Sequence, residues 1–462
     1  HKKKAMRKFL LYTLLSVAGL AATTAQATEV TFTTDEGYNF RNLLIYEKGT
    51  DTPVNGSSSW EPTVTLDLEP GTYSVEAALA DLSYNEIPSG ALKTFTVGNT
   101  PTTVNYSIAE NYAKVRFTLT NEAGQPMEGV YISNEAESYS VDSYYYSFSV
   151  TTGADGTAEA WATPGKTYTA STSENTGHYI GLTKEFSTSS DEVEVALSYA
   201  GYHRVDVTFA GYYSPAEEPG VLYGGEFTLI LPGGGNFYLP IDNQTAAAYV
   251  VVPDGEYLYT ANAPFDADNT AYTADMLTVD GADATLRLDF SKAQPVTFSY
   301  DESSNTYFSV YKTVGDTILQ INSYNMTYHV TPGDYSISGS FSDEASNNCY
   351  FEQHFEVADA PVAVTIDTDP NHYYNVAFDV NTPQGKAQSM CYVNNAIISD
   401  LGGAASPESF QNGTYDYSVV TVWIDDYSYA LPYMPGGTLT IQDADVKVPV
   451  DLTDHRFFRL RY

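Results

Sequence analysis

A short phrase recurs five times along the 462 residues of this chain: Pro-Gly, Asp-Gly or Asn-Gly, followed within three residues by tyrosine. The tyrosines are spaced 95, 89, 78 and 80 residues apart and are Tyr73, Tyr168, Tyr257, Tyr335 and Tyr415. Such a pair supplies the backbone angles of a tight turn, and the tyrosine begins a strand whose inward face can bury its ring. Because internal repetition indicates a repeated structural unit, we expect one module per phrase.

Alternation of apolar and polar residues marks both ends of the repeated unit. Each unit opens on an alternating segment, at residues 30–32, 115–119, 205–209, 296–298 and 376–378. Units also close on one, for example at residues 193–197, 286–288, 362–366 and 446–450. A period of two gives a strand one wetted face and one buried face, which is typical of packed antiparallel sheets. The sequence therefore predicts an all-β chain of about five tandem immunoglobulin-like β-sandwich modules in an elongated array.

The phrases divide the chain into modules with short connections. The predicted modules span residues 28–109, 110–200, 201–291, 292–369 and 370–462, and the last includes a basic, aromatic tail at residues 455–462. A chain of this length exceeds what one hydrophobic core usually organises. Because the linkers are short, we expect neighbouring modules to be semi-rigid rather than freely jointed.

The first 27 residues predict the cellular compartment. Basic residues occupy positions 2–4 and 7–8, an uncharged apolar run covers positions 9–22, and Ala25-Gln26-Ala27 ends the segment. This layout predicts a secretory signal peptide that is cut after Ala27. The alternative, an uncleaved anchor, needs about 20 apolar residues, more than this run contains. We therefore expect an exported protein, extracellular or on the outer cell surface rather than periplasmic, with no direct membrane insertion after cleavage.

The charge of the chain excludes one class of partner. The sequence has 58 Asp and Glu against 21 Lys and Arg, a formal net charge of −37. Phosphate backbones and anionic membrane surfaces repel such a chain, so nucleic acid is not an expected partner. Strong acidity can also indicate disorder, but 40 Tyr and 21 Phe supply ample material for folded cores.

The second module carries a more specific pattern. An alternating strand at residues 115–119 is followed by a Gly-x-Pro turn at residues 124–126 and a small-residue strand. A Thr-x-x-Asp-Gly turn at residues 152–156 and the tyrosine phrase at residues 164–168 come next. This order resembles the carboxypeptidase regulatory-like and collagen-adhesin B-type immunoglobulin-like modules of bacterial surface proteins, best over residues 111–199. The resemblance implies stalks, spacers or adhesive units without catalysis.

Catalytic motifs are missing from the sequence. It has no His-Glu-x-x-His, no Cys-x-x-Cys and no Gly-x-Ser-x-Gly, so neither a zinc site nor a serine nucleophile elbow is predicted. The glycine run at residues 233–235 lacks the Lys-Ser/Thr that cradles phosphate and is interpreted as a hairpin loop. We therefore predict that the protein is not an enzyme.

Calcium is the one cofactor that the sequence leaves open. Carboxylates crowd a loop at Asp266 and Asp268, and again a linker at Asp367, Asp369 and Asn371. Crowded carboxylates repel one another until a hard cation joins them, and oxygen ligands of this kind suit calcium. The alternative is that these are solvated loop acids.

A Ser/Tyr-rich segment is the sequence's candidate for glycan binding. Tyr139, Tyr144 and Tyr146 lie within it, and exposed coplanar rings of this kind stack on sugars. The alternative is that the rings belong to the core or to a protein interface, where Tyr is also common.

The chain contains two cysteines, Cys349 and Cys391. Two are too few for a disulfide framework in a chain this long. In an oxidising compartment they can form one bridge between neighbouring modules, or remain two separate buried thiols.

These observations predict a non-catalytic secreted or surface-associated structural, spacer or assembly subunit of a bacterial extracellular structure. Its expected partners are other envelope or extracellular proteins, including copies of itself that add strands to exposed sheet edges. The alternative is an accessory or adhesin protein that binds glycan or protein through loops at the module ends.

Overall fold

The structure is a computed structural model that describes residues 27–134, 148–188, 192–301, 305–321, 327–343, 347–381, 387–394, 396–399, 408–425, 428–429 and 436–451. The predicted signal peptide, apart from Ala27, and the predicted tail lie outside these residues. The chain divides into two compact units, His1–Asn175 with Gly181–Ala200, and Thr176–Ile180 with Gly201–Tyr462.

The first unit contains two sandwiches. The strands of sandwich 1 are β1 (Thr28–Thr33), β2 (Tyr38–Glu47), β3 (Pro53–Ser57), β4 (Thr63–Leu68), β5 (Gly71–Asp81), β6 (Glu86–Ser89), β7 (Lys93–Val97) and β8 (Thr102–Asn105). One sheet has the order β4-β1-β8, the other has the order β3-β2-β5-β6, and β7 also pairs with β5. Phe32 and Val64 from one sheet and Phe40 and Leu43 from the other fill the space between them. A single helical turn, α1 (Ile108–Asn111), leads into the next sandwich.

Sandwich 2 repeats the same arrangement. Its strands are β9 (Ala113–Thr120), β10 (Tyr131–Asn134), β11 (Ser149–Thr151), β12 (Thr157–Ala162), β13 (Thr167–Ser173), β14 (Thr183–Ser187) and β15 (Glu192–Ser198). The sheets are β12-β9-β15 and β11-β10-β13-β14. Phe117 of the first sheet packs on Phe148 and on Phe186 of the second.

The second unit contains three sandwiches. Sandwich 3 consists of β16 (Tyr202–Ala210), β17 (Glu226–Ile230), β18 (Asn236–Tyr238), β19 (Ala247–Pro253), β20 (Gly255–Pro264), β21 (Thr270–Val279) and β22 (Ala284–Asp289). Sandwich 4 consists of β23 (Gln294–Ser299), β24 (Asn305–Val314), β25 (Thr317–Ile321), β26 (Thr327–Val330), β27 (Gly333–Ser342), β28 (Asn348–Val357) and β29 (Val362–Thr365). Sandwich 5 consists of β30 (Tyr374–Asn381), β31 (Ala387–Val393), β32 (Ala396–Ser399), β33 (Glu408–Phe410), β34 (Gly413–Asp425), β35 (Ser428–Tyr429), β36 (Gly436–Ile441) and β37 (Val446–Asp451). Short 3-10 turns at Phe290–Lys292 and Pro370–His372 precede sandwiches 4 and 5.

One strand order is common to all five sandwiches. The opening strand lies between the fourth strand, with which it is antiparallel, and the closing strand, with which it is parallel, as in β4-β1-β8. The all-β class and the tandem sandwiches are confirmed, and so are the predicted opening and closing strands. In antibody constant domains the first strand pairs instead with the second, so the likeness to those domains is one of architecture.

The recurring tyrosine has the same role in each sandwich. Its side chain is buried or half-buried where the chain crosses from the three-stranded to the four-stranded sheet. In four sandwiches its hydroxyl donates a hydrogen bond to the carbonyl oxygen four residues earlier, at Glu69, Pro253, Thr331 and Gln411, over 2.5 to 3.0 Å. In sandwich 2, which has one more residue in the phrase, the Tyr168 hydroxyl accepts a hydrogen bond from the Thr163 amide at 2.9 Å. The phrase therefore encodes a tyrosine corner, which ties the crossing to the core.

The glycine of the phrase makes room for the ring rather than only turning the chain. A Cβ added at Gly71, Gly255 or Gly413 would lie 3.2, 3.4 or 3.1 Å from the ring of the tyrosine two residues later. A positive φ is found instead at Gly165, +73°, and at Gly333, +153°. Close approach of the aromatic ring is thus the reason for glycine at three of the five positions, and the backbone angle favours glycine at the other two.

Removing one corner hydroxyl should destabilise its unit measurably. Tyr335→Phe leaves the Thr331 carbonyl without the hydrogen bond that the buried tyrosine donates, so we expect the free energy of unfolding to fall by about 1 to 3 kcal/mol in urea titrations. Tyr307→Phe alters an exposed tyrosine of the same sandwich and should change it by less than about 0.5 kcal/mol. Equal losses in the two variants would contradict this role of the corner.

Candidate functional site

Two sheets of the second unit continue from one sandwich into the next. Strand β21 of sandwich 3 pairs in parallel with β26 of sandwich 4, and strand β28 of sandwich 4 pairs in parallel with β33 of sandwich 5. Each pairing joins a four-stranded and a three-stranded sheet into one seven-stranded sheet. We call these pairings the 3/4 junction and the 4/5 junction.

Core packing also crosses the junctions. Ala274 of β21 is fully buried within the core cluster of sandwich 4, and Leu258 and Tyr272 of sandwich 3 pack against the same cluster. Tyr350 of β28 packs in the same way against the core of sandwich 5. The hydrophobic cores therefore extend across the boundaries of the predicted modules, because side chains on the outer face of one sheet pack against the core of the next sandwich.

The 3/4 junction buries two basic side chains. His329 of β26 stacks on Phe265, with ring centroids 4.0 Å apart, and its Nδ1 has no hydrogen-bond partner within the described structure. Burial lowers the pKa of His329, against the opposing effect of the Asp266 carboxylate. Lys312 donates from Nζ to Thr331 Oγ1 at 3.2 Å, and burial lowers its pKa as well. Protonation of these groups therefore opposes the packing of the junction.

The 4/5 junction buries a carboxyl group. Glu408 of β33 is 5% exposed, and its Oε1 accepts a hydrogen bond from Asn348 Nδ2 at 3.3 Å. Its Oε2 has no partner among the described residues. Burial raises the pKa of Glu408, and the hydrogen bonds offset this only in part. Beside it, Tyr350 stacks on Phe410 with centroids 5.1 Å apart.

The buried carboxyl predicts a pH dependence with a defined sign. The folded state raises the pKa of Glu408 above its ordinary value of 4.5. The contribution of the protonated carboxyl to the free energy of unfolding is therefore fully present below pH 4.5 and is lost as pH rises through the folded-state pKa. Glu408→Gln cannot ionise. We therefore expect the stability of this variant relative to the parent chain to increase with pH from about 4.5, measured by urea unfolding across the range. A pH-independent difference would contradict the assignment.

A groove lies on the outer face of the four-stranded sheet of sandwich 4. Strand β27 forms its floor between β24 and β28, and outward side chains form three rows across the three strands. The rows are Tyr307-Ser340-Tyr350, Ser309-Ser338-Glu352 and Tyr311-Ser336-His354. Alternation explains the pattern, because Tyr335, Ile337 and Phe341 of the same strand point into the core.

Small floor residues and large wall residues give the groove its depth. It encloses about 460 Å³, and sandwich 5 contributes Asn394 and Phe410 to its lining. Tyr307 and Ile318 on the walls are 67% and 56% exposed. Polar groups are already oriented: Gln320 Nε2 donates to Ser309 Oγ at 3.2 Å, and Asn394 Nδ2 donates to Glu352 Oε2 at 3.4 Å. The groove therefore offers aromatic faces beside hydroxyl, amide and carboxylate groups.

The sequence contains a signal for this groove. Serine alternates with core residues at positions 336, 338 and 340, and Tyr307 and Tyr311 flank Ser309. Alternation with a period of two indicates only that one face of each strand is exposed to solvent. Neither the depth of the groove nor the lining that sandwich 5 contributes follows from the pattern. The predicted glycan residues Tyr139, Tyr144 and Tyr146 lie outside the described residues.

The first predicted calcium loop is satisfied internally. Asp266 accepts hydrogen bonds from the backbone amides of Asp268 and Asn269 and from the Asn269 side chain, over 2.8 to 2.9 Å. The bond from the Asn269 side chain, followed by that from the Asp268 amide, lowers the pKa of Asp266. Asp266 thus acts as a loop-capping residue.

The second predicted calcium segment has a histidine among its acids. His372 Nδ1 lies 2.7 Å from Asp367 Oδ2, and Asp369 accepts from the amide of Asn371. The hydrogen bond and the charge of Asp367 raise the pKa of His372. Within the described ranges, no group of three or more His, Cys, Asp or Glu side chains could hold a metal ion. Calcium at either place stays a prediction.

The two cysteines lie in different cores. Cys349 and Cys391 are buried. Cys349 packs in the core of sandwich 4 and Cys391 in that of sandwich 5, and a bridge between the neighbouring modules stays a prediction. Burial raises the pKa of the Cys349 thiol to about 12, which keeps it unreactive at neutral pH.

Comparison with known proteins gives no family. No family model and no curated protein matches the sequence. Among solved structures, the chain is similar to the TIE protein of Bacillus anthracis, with 12% identity, 79% of this chain and 78% of that chain covered, and a TM-score of 0.18. It is similar to a streptococcal ancillary pilin (11% identity, 57% and 98% covered, TM-score 0.24) and to the major pilin subunit BcpA of Bacillus cereus (10%, 74% and 99%, 0.16). Likeness at these identities and TM-scores carries no argument about function.

Helices contribute little to the described part of the chain, and none of those there is long and apolar enough to cross a membrane.

Proposed function

We propose that this protein is a non-catalytic structural subunit of a bacterial extracellular structure, exported to the cell surface and built to hold successive sandwiches in a fixed relation. The observation that carries the proposal is the continuation of sheets through the 3/4 and 4/5 junctions. Backbone hydrogen bonds and buried side chains couple adjacent sandwiches there, whereas an adhesin with independent modules needs only flexible linkers.

The titration shifts of the second unit agree with a structural role. Burial at the junctions shifts the pKa values of His329, Lys312 and Glu408. These side chains lie in packed β-structure instead of an open cleft. Structural packing perturbs pKa values as catalytic sites do, so burial alone does not mark an active site. Among the described residues that line the groove of sandwich 4, Glu352 is the one carboxylate, whereas glycoside hydrolysis ordinarily uses two.

The proposal is tested on the producing bacterium. Intact cells are labelled with antibody against the chain, and material sheared from their surface is fractionated by size and identified by mass spectrometry. We expect surface labelling and recovery of the chain in a large sheared assembly. Recovery only as a dispersed cytosolic monomer would overturn the structural role.

A second candidate function is ligand binding at the surface. The groove of sandwich 4 favours it, because aromatic walls and a polar floor form an open site on a rigid sheet.

A further inference from the structure

The groove of sandwich 4 contains two kinds of surface in fixed alternation. Tyr307 and Tyr311 present ring surface along one wall, while Ser338 and Ser340 present hydroxyl groups along the floor. Each serine hydroxyl can both donate and accept a hydrogen bond. A matching ligand must therefore carry apolar faces and a dense supply of hydroxyl groups at their edges.

From this chemistry we propose that the groove binds a neutral oligosaccharide. Sugar rings have C–H faces that pack on tyrosine rings and hydroxyl edges that pair with serine, amide and carboxylate groups. Ser309, Glu352 and Asn394 supply such groups beside the floor. The proposal rests on the proposed function only in requiring that the chain be exposed at the cell surface.

Charge selects among glycans. Glu352 ends the middle row, directly beside Ser338, and the whole chain carries a formal net charge of −37. An acidic glycan would be repelled both by the local carboxylate and by the field of the protein. His354 Nε2 lies 3.6 Å from Glu352 Oε1 but is largely exposed. A neutral glycan is therefore the class that fits.

The floor argues against a peptide strand as the occupant. The backbone groups of β27 are engaged on both sides, by β24 and by β28, so this strand has no free ladder for strand addition. Recognition must proceed through side chains. Tyr307 and Tyr311 are four residues apart on one strand, about 13 Å at 3.3 Å per residue, so a ligand that contacts both is longer than one sugar.

The test uses the full chain and defined probes. Binding of cellohexaose, chitohexaose and maltohexaose, and of an acidic oligogalacturonide, is measured by isothermal titration calorimetry. We expect one neutral probe to bind and the acidic probe not to bind. Tyr307→Ala, which removes an exposed wall ring, should weaken binding about tenfold, and Ser338→Trp, which fills the exposed floor, should abolish it.

Controls separate binding from folding. Tyr131→Ala removes a 42% exposed tyrosine from sandwich 2 and should leave both affinity and thermal unfolding unchanged. Both groove variants should retain the parent thermal midpoint. Failure of every neutral probe to bind, preference for the acidic probe, or binding that survives Ser338→Trp would overturn the glycan site. Any of these results leaves the surface-labelling experiment, and hence the structural role, intact.

Discussion

Replacing Phe410 with alanine is expected to lower the free energy of unfolding of the second unit by about 3 to 5 kcal/mol. Phe410 is 3% exposed and lies at the 4/5 junction. Its ring stacks on that of Tyr350 of sandwich 4. Its ring centroid also lies 5.4 Å from that of Tyr415, the corner tyrosine of sandwich 5. Truncation therefore removes the favourable free energy of burying the ring away from water, and it leaves a cavity where two sandwiches meet. Urea unfolding measures the loss.

The location of the loss distinguishes a junction residue from an ordinary core residue. Phe227→Ala removes a ring of comparable burial inside sandwich 3 and should cost a similar amount. Hydrogen exchange in strands β28 and β33 should accelerate in the Phe410 variant and remain protected in the Phe227 variant, because local opening follows local contacts. Equal acceleration in both variants would mean that the junction has no stability of its own.

The repeated fold was predictable from local rules. Alternation placed Phe32, Phe117 and Phe298 in opening strands with buried rings, as the structure confirms. The glycine run at residues 233–235 was predicted to be a hairpin loop and joins β17 to β18. These features depend on turn chemistry and on a period of two, both visible in a short window of sequence.

The junctions and the groove were not predictable by the same rules. The register that sets Ala271 beside His329, or Asn348 beside Glu408, joins segments far apart in the chain. Burial of His329 and Glu408 also runs against the usual preference of charged groups for water. Propensity therefore identifies the strands, but tertiary packing decides which strands pair between sandwiches.

Gly339→Ala should destabilise the second unit by about 3 kcal/mol through overpacking. A Cβ at this position would lie 2.2 Å from the Tyr307 carbonyl oxygen and 2.6 Å from Phe308 Cβ. Backbone cannot rotate away as a side chain does, so β24 must separate from β27. Gly235→Ala is the matched control, because a Cβ there meets no atom within 4 Å; it should change stability by less than about 0.5 kcal/mol.

The same substitution connects the fold to the groove. Gly339 pairs with Phe308 on one side and Phe351 on the other, directly between the floor residues Ser338 and Ser340. Moving β24 outward would shift Tyr307 away from that floor, so glycan affinity should fall together with stability in Gly339→Ala. Ser338→Trp should instead lose affinity at unchanged stability, since its side chain points to solvent. If Gly339→Ala kept the parent stability, the close approach of β24 and β27 would not be the feature that shapes this face of the sheet.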